Sequence, residues 1–161
     1  INNPVQFGQE NRARIAQLLA VADLSLLPFA EAKKPLKKAL RSDDPWQRYW
    51  ALIVGSSFAE KARPFYRKAN KMAQGDPENL VRMRALEFLA LSGQEVHPDQ
   101  FVRLIEASNS KTEANLMLNT VALLKMQRPE LEISIPREAV PADWIAREND
   151  LVNRRLEFIN R

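Results

Sequence analysis

The chain has 161 residues, 45% of them hydrophobic, with 24 lysines and arginines against 20 acids, one histidine and a formal charge of +4. That length and apolar content suffice for one domain-sized core, and the absence of cysteine excludes disulfides and thiolate metal sites. No run of 18 apolar residues occurs, so no membrane span is expected, and the opening INNPVQF carries neither an initiator methionine nor a signal-peptide pattern, so the chain reads as a soluble piece of something longer.

Taken in order, nearly every stretch has helical periodicity. Residues 10–24 place Ile15, Leu18, Leu19 and Ala22 on one stripe, and residues 32–41 place Leu36, Ala39 and Leu40 opposite four lysines. Further helices are predicted over about 45–58, 63–73, 78–92, 98–107 and 112–126, divided by the breakers SDDP, GDPE, GQEVHPD and SNSKTE. LEISIP at 131–136 is the one alternating apolar run, so sheet content should be close to nil. The proline-bearing stretch QRPELEISIPREAVPAD predicts an extended connector. A final helix from about 143 then carries the stripe Ile145, Val152, Leu156 and Ile159, flanked by Trp144 and Leu151.

An internal repeat underlies this order. Ser42, Asp76 and Ser110 recur every 34 residues as candidate N-caps, the third opening a capping box with Glu113. The same shift superposes RYWAL on RMRAL, aligning Arg48 with Arg82 and Ala51 with Ala85. A 34-residue period fits a pair of short antiparallel helices that bury their apolar faces by stacking on neighbours. The expected fold is therefore all-α: an α-solenoid of helix pairs over residues 1–128, with units at about 10–41, 42–75, 76–109 and 110–128. Residues 129–161 supply the connector and a docked C-terminal helix.

Each residue that suggests chemistry has an ordinary counterpart reading. Trp46 and Trp50 share a helical face with Tyr49 between them, which would suit a sugar ring or a base, but Trp50 falls beside Ile53 and Val54 on a stripe expected to fill the core. Asp43 and Asp44 are adjacent acids at a helix start, where they answer the macrodipole and free amides. The single histidine, His97, precedes Pro98 at another helix start with no ligand-spaced partner. One feature stands apart. Lys33, Lys34 and Lys37 map by the same shift onto Arg67, Lys68 and Lys71, extended by Lys38, Arg41 and Arg63, as a candidate polyanion-binding ladder on the outer faces of two first helices. Its ordinary reading is a solvated helix face.

The string Asp76-Pro77 with Val81-Arg82-x-x-Ala85-x-x-x-Leu89 resembles HEAT repeats, and Asp44-Pro45 with Arg48-x-x-Ala51 is similar, whereas the third copy has Leu116 in the arginine's place. The resemblance implies a structural ladder in which Asp44, Arg48 and Arg82 bond to the backbone and acids of neighbouring repeats. More narrowly, PLKKAL followed by an acid-Pro turn and RYWA resembles the helical segment that follows the catalytic domain of bacterial sulfatases of the alkaline-phosphatase superfamily. The Cys/Ser-x-Pro-x-Arg signature of that family does not occur in this sequence. The resemblance thus implies a non-catalytic C-terminal region of a larger hydrolase, a sulfatase above all, serving packing, oligomer or substrate-rim contacts. Its partners would be the catalytic domain of the same chain or another subunit, with a weak sulfated-glycan contact, no specific nucleic acid and no membrane. Calcium would belong to the absent catalytic domain, no cofactor to this region, and the location would be periplasmic or secreted. Two alternatives stand beside it, a HEAT-like nucleic-acid-binding module and a free-standing protein-interaction scaffold.

Overall fold

Each apolar block with helical spacing is a helix in the computed structural model, which describes residues 9, 11–145 and 150–161. The helices are α1 (Arg12–Ala22), α2 (Phe29–Ala39), α3 (Pro45–Ser56), α4 (Tyr66–Gly75), α5 (Asn79–Leu91), α6 (Pro98–Glu106), α7 (Lys111–Gln127) and α8 (Leu151–Ile159). Short 3₁₀ turns lie at Asp23–Leu26, Ala59–Phe65, Arg137–Ala139 and Ala142–Trp144. No strand occurs among the described residues, and the chain is all-α. It divides into two compact units, residues 1–65 and 66–161.

In the first unit α3 packs on both α1 and α2. Leu36 and Ala39 of α2 and Ala51, Leu52 and Val54 of α3 are buried, as their spacing predicts. The Phe29 ring meets Phe58 at 5.3 Å and Phe65 at 6.0 Å, closing the core under the 3₁₀ turn. The stripe expected on α1 is corrected. Leu19 is 57% exposed, and burial runs instead through Val21 and Leu24, a three-residue step continued by the tighter 3₁₀ turn. The helix expected from 63 begins at Tyr66, because Pro64 sits within the preceding 3₁₀ turn, where its missing N–H breaks no α-helical bond.

In the second unit α5 is the central element, packed by α4, α6 and α7. Its residues from Ala85 to Ala90 are all buried, as a helix covered on every side requires. It ends in a Schellman turn at Gly93, whose φ is +72°; the amides of Gly93 and Gln94 donate to the Ala90 and Leu89 carbonyls at 3.0 and 2.9 Å.

The C-terminal helix docks on α7. Lys111 pairs with Asp150, Arg155 Nη2 donates to Asn119 Oδ1 at 3.1 Å, and Lys125 Nζ donates to the Ile159 carbonyl, so α7 and α8 run parallel. Val152, Leu156 and Ile159 are buried, and Ile145 with them, as the stripe predicts. The helix starts later than 143, at Leu151, because Asp150 caps it by accepting from the Val152 amide at 2.9 Å. Within the connector Ile133 and Ile135 point inward while Glu132 and Ser134 face solvent, the two-residue alternation of extended chain. Asn160 fixes this segment: its amide accepts from Ile135 N at 2.9 Å and donates to Ile135 O at 2.8 Å, as a neighbouring strand would.

Candidate functional site

The turn between α2 and α3 gathers the acids and the arginine singled out by sequence. Asp44, rather than Ser42, is the N-cap of α3; Oδ1 accepts from Trp46 N at 2.9 Å, while Ser42 Oγ accepts from Asp44 N at 3.2 Å. Likewise Glu78, rather than Asp76, is the N-cap of α5, with Asp76 Oδ1 accepting from Glu78 N at 3.1 Å. Ser110 does cap α7, accepting from Glu113 N at 3.2 Å, and the returning Glu113 carboxylate takes the amide of Asn109.

Arg14 of α1 grips Asp44 through both oxygens, at 3.1 and 3.3 Å. Burial raises the Asp44 carboxyl, but the hydrogen bonds from Arg14 and from the Trp46 amide, with the charges of Arg14 and Arg48, outweigh it and hold the group below its ordinary value. Arg48 is buried and its Nη1 donates to the carbonyls of Ser42 and Asp43, at 2.9 and 3.1 Å. Arg82, in the corresponding place on α5, is half-buried and its Nε donates to the Ala73 carbonyl at 3.4 Å. Both arginines thus reach back to the chain just before their own helix. Their role is to satisfy carbonyls that a helix end or turn leaves open.

The tryptophans are not core residues. Trp46 and Trp50 are 38% and 36% exposed, and their indoles meet Tyr49 edge to face at 5.7 and 6.3 Å, making an aromatic row on α3. Val54 takes the buried place that Trp50 was expected to share. His97 is exposed at the start of α6, its amide donating to Gln100 Oε1 at 2.9 Å.

The six basic residues of the proposed ladder divide between the two units, and each trio sits within its own. Lys33, Lys34 and Lys37 are exposed on α2, and Arg67, Lys68 and Lys71 are exposed on α4, three in each unit. The structure brings Lys34 and Lys37 together with Lys38 and Arg41 around one depression, completed by Ser42, Asp43 and Gln47 from the turn and the first turn of α3. Lys33 is not in its lining. The signal was present in the sequence for three of them, since 34, 37 and 38 stand at i, i+3 and i+4 on one helical face, whereas Arg41 lies in the turn beyond α2. In the second unit Arg67 lines a separate depression with Tyr66, Asn70, Leu89, Gln94 and Glu95, to which Lys68 and Lys71 do not contribute.

Sequence reasoning missed a buried ion pair on α5. Arg84 Nη1 donates to Glu87 at 2.6 Å, both side chains being largely covered, and burial pushes the Glu87 carboxyl up although the Arg84 charge and hydrogen bond oppose it. Among the described residues no cluster of three His, Asp or Glu side chains is placed to hold a metal ion, and no helix is long and apolar enough to cross a membrane. Comparison with protein-family models, with curated proteins and with solved structures finds no match to this chain.

Proposed function

We propose that this chain is a non-catalytic HEAT-like helical-repeat region of a larger hydrolase, a sulfatase above all, contributing packing and rim surface to a catalytic domain encoded with it. The observation that carries the reading is the use made of the residues with chemical potential. Asp44 is occupied by a helix cap and by Arg14, and Arg48 by the carbonyls of its own turn. Arg14 stands 34 residues before Arg48, and its bond to the turn acid opening α3 is the kind of contact that a ladder between successive repeats requires. The stacking of pairs into a solenoid belongs to this proposal.

The test is the reading frame upstream of Ile1. A Cys/Ser-x-Pro-x-Arg signature there, followed by loss of sulfate-ester hydrolysis or of assembly when residues 1–161 are deleted from the full protein, is the expected result. A frame without that signature, or sulfate-ester hydrolysis by this chain alone, would overturn the proposal.

A further inference from the structure

The outer side of the α7–α8 pair is apolar where a solvated helix face would be polar. Leu116, Leu123 and Met126 of α7 and Leu151 and Phe158 of α8 are each more than a third exposed. On α7, positions 116, 119, 123 and 126 stand at i, i+3, i+7 and i+10, and on α8, positions 151, 155 and 158 stand at i, i+4 and i+7, so each set lies on one helical face. Arg155 donates from Nε and Nη2 to Asn119 Oδ1, at 3.3 and 3.1 Å, and so joins the two faces into one surface. α7 turns its opposite side, with Met117, Val121 and Leu124, into the core. Large apolar side chains offer about 150–200 Å² each, so these five leave about 400 Å² of apolar surface open, in the range where a single patch marks an interaction site.

The layout of this surface selects its occupant. α7 and α8 run parallel, and the contacts of Lys111 with Asp150 and of Lys125 with the Ile159 carbonyl fix their register. Leu151 therefore lies within about one turn of the height of Leu116, and Phe158 within about one turn of the height of Leu123. From end to end the surface is apolar, then polar at Asn119 and Arg155, then apolar again, on both helices alike. A two-fold axis parallel to the helices lays α7 of one copy on α8 of another at equal heights: Leu116 on the partner's Leu151, Asn119 on the partner's Arg155 and Leu123 on the partner's Phe158. Apolar groups then meet apolar groups, and each Arg155 meets an amide. An axis across the helices would instead set Arg155 against the partner's Arg155, like against like. The five side chains of each copy would together bury about 800 Å², and the polar residues between and beside them carry the total past the roughly 1,000 Å² that a specific interface needs. We propose that the α7–α8 face is the interface of a symmetric homodimer, covered by a second copy of this chain. The assignment rests on the geometry of the second unit and is independent of the hydrolase reading.

Sedimentation velocity on the whole chain provides the test. At about 100 μM the chain should sediment as a dimer, within the range of an interface of this size. Phe158→Asp should weaken association at least about 100-fold, because one substitution enters a two-fold interface twice. Leu26→Asp, at an exposed leucine of the first unit, should leave association unchanged. The pairing itself is read from Leu116→Lys and Leu151→Glu. Each should be monomeric alone, and mixing them should restore dimers, since the mixed pair holds one lysine–glutamate contact and one intact contact of Leu116 with Leu151. Leu123→Lys mixed with Phe158→Glu repeats the test at the other end of the surface, with circular dichroism confirming that each variant keeps its helices. A chain that stays monomeric at that concentration, or a dimer that survives Phe158→Asp, would overturn the interface and leave the face to a different protein. Folded variants that fail to recover on mixing at both ends would overturn the parallel pairing.

Discussion

Asp44 carries three interactions on one carboxylate: the cap of α3, the grip of Arg14 and the charge of Arg48. Because its folded value is depressed, ionisation of Asp44 contributes stability above the ordinary carboxylate range, and that contribution is lost as pH falls through the depressed value. Asparagine keeps the cap but not the charge. Asp44→Asn should therefore lower stability by about 0.5–1 kcal/mol at neutral pH, the scale of a partly exposed ion pair, and the gap between the two proteins should close on acidification. Denaturant titrations across the acid range measure this directly; a gap of constant size throughout would mean that the charge contributes nothing. The same residue shows what a sequence hides. Ser42, Asp44 and Asp76 each accept the amide two residues ahead, a bond made equally by an N-cap and by the turn before it, so a polar residue ahead of a helix does not reveal which of the two it is.

At the scale of the element, the helices were legible because a 3.6-residue period and polar breakers leave few alternatives, and the buried faces of α2 and α8 fell where the stripes put them. The period also identifies residues that share a face, as with Lys34, Lys37 and Lys38. It does not say whether a face is covered, which is why Trp46 and Trp50 read as core and stand more than a third exposed. Helix ends are local again. The Schellman turn of α5 needs a left-handed residue at position 93, where glycine meets no steric penalty and an added Cβ has open space but a strained backbone. Gly93→Ala should cost about 1–2 kcal/mol, from backbone strain alone. Gly75, which closes α4 at a φ outside that region and also has open space, provides the control: Gly75→Ala should be neutral or slightly stabilising. Equal effects at the two positions, read from chemical unfolding, would contradict the conformational argument.

For the molecule as a whole, the segment with least repeat character fixes the fate of the second unit. Ile133, Ile135, Val152, Leu156 and Ile159 are each at most 3% exposed, and all come from the chain beyond α7. Burying a side chain of this size contributes about 1.5–3 kcal/mol, so the five together approach the whole stability of a domain, about 5–15 kcal/mol. Their loss would also uncover the part of α7 against which α8 packs, and would remove the donor from Arg128 to the Ala90 carbonyl at the end of α5 if the cut falls before it. A chain ending at Gln127 should therefore fail to hold α5 and α7 in a cooperative fold. Amide hydrogen exchange provides the reading, with α5 and α7 expected to lose protection while full-length protein retains it; the milder Leu156→Ala, which leaves a cavity under α8, should lower stability by about 2–5 kcal/mol without abolishing the fold. Full protection of α5 and α7 in the shortened chain would mean that the helices before residue 128 bury enough of one another to stand alone, and that α8 is an attachment to the second unit rather than part of its core.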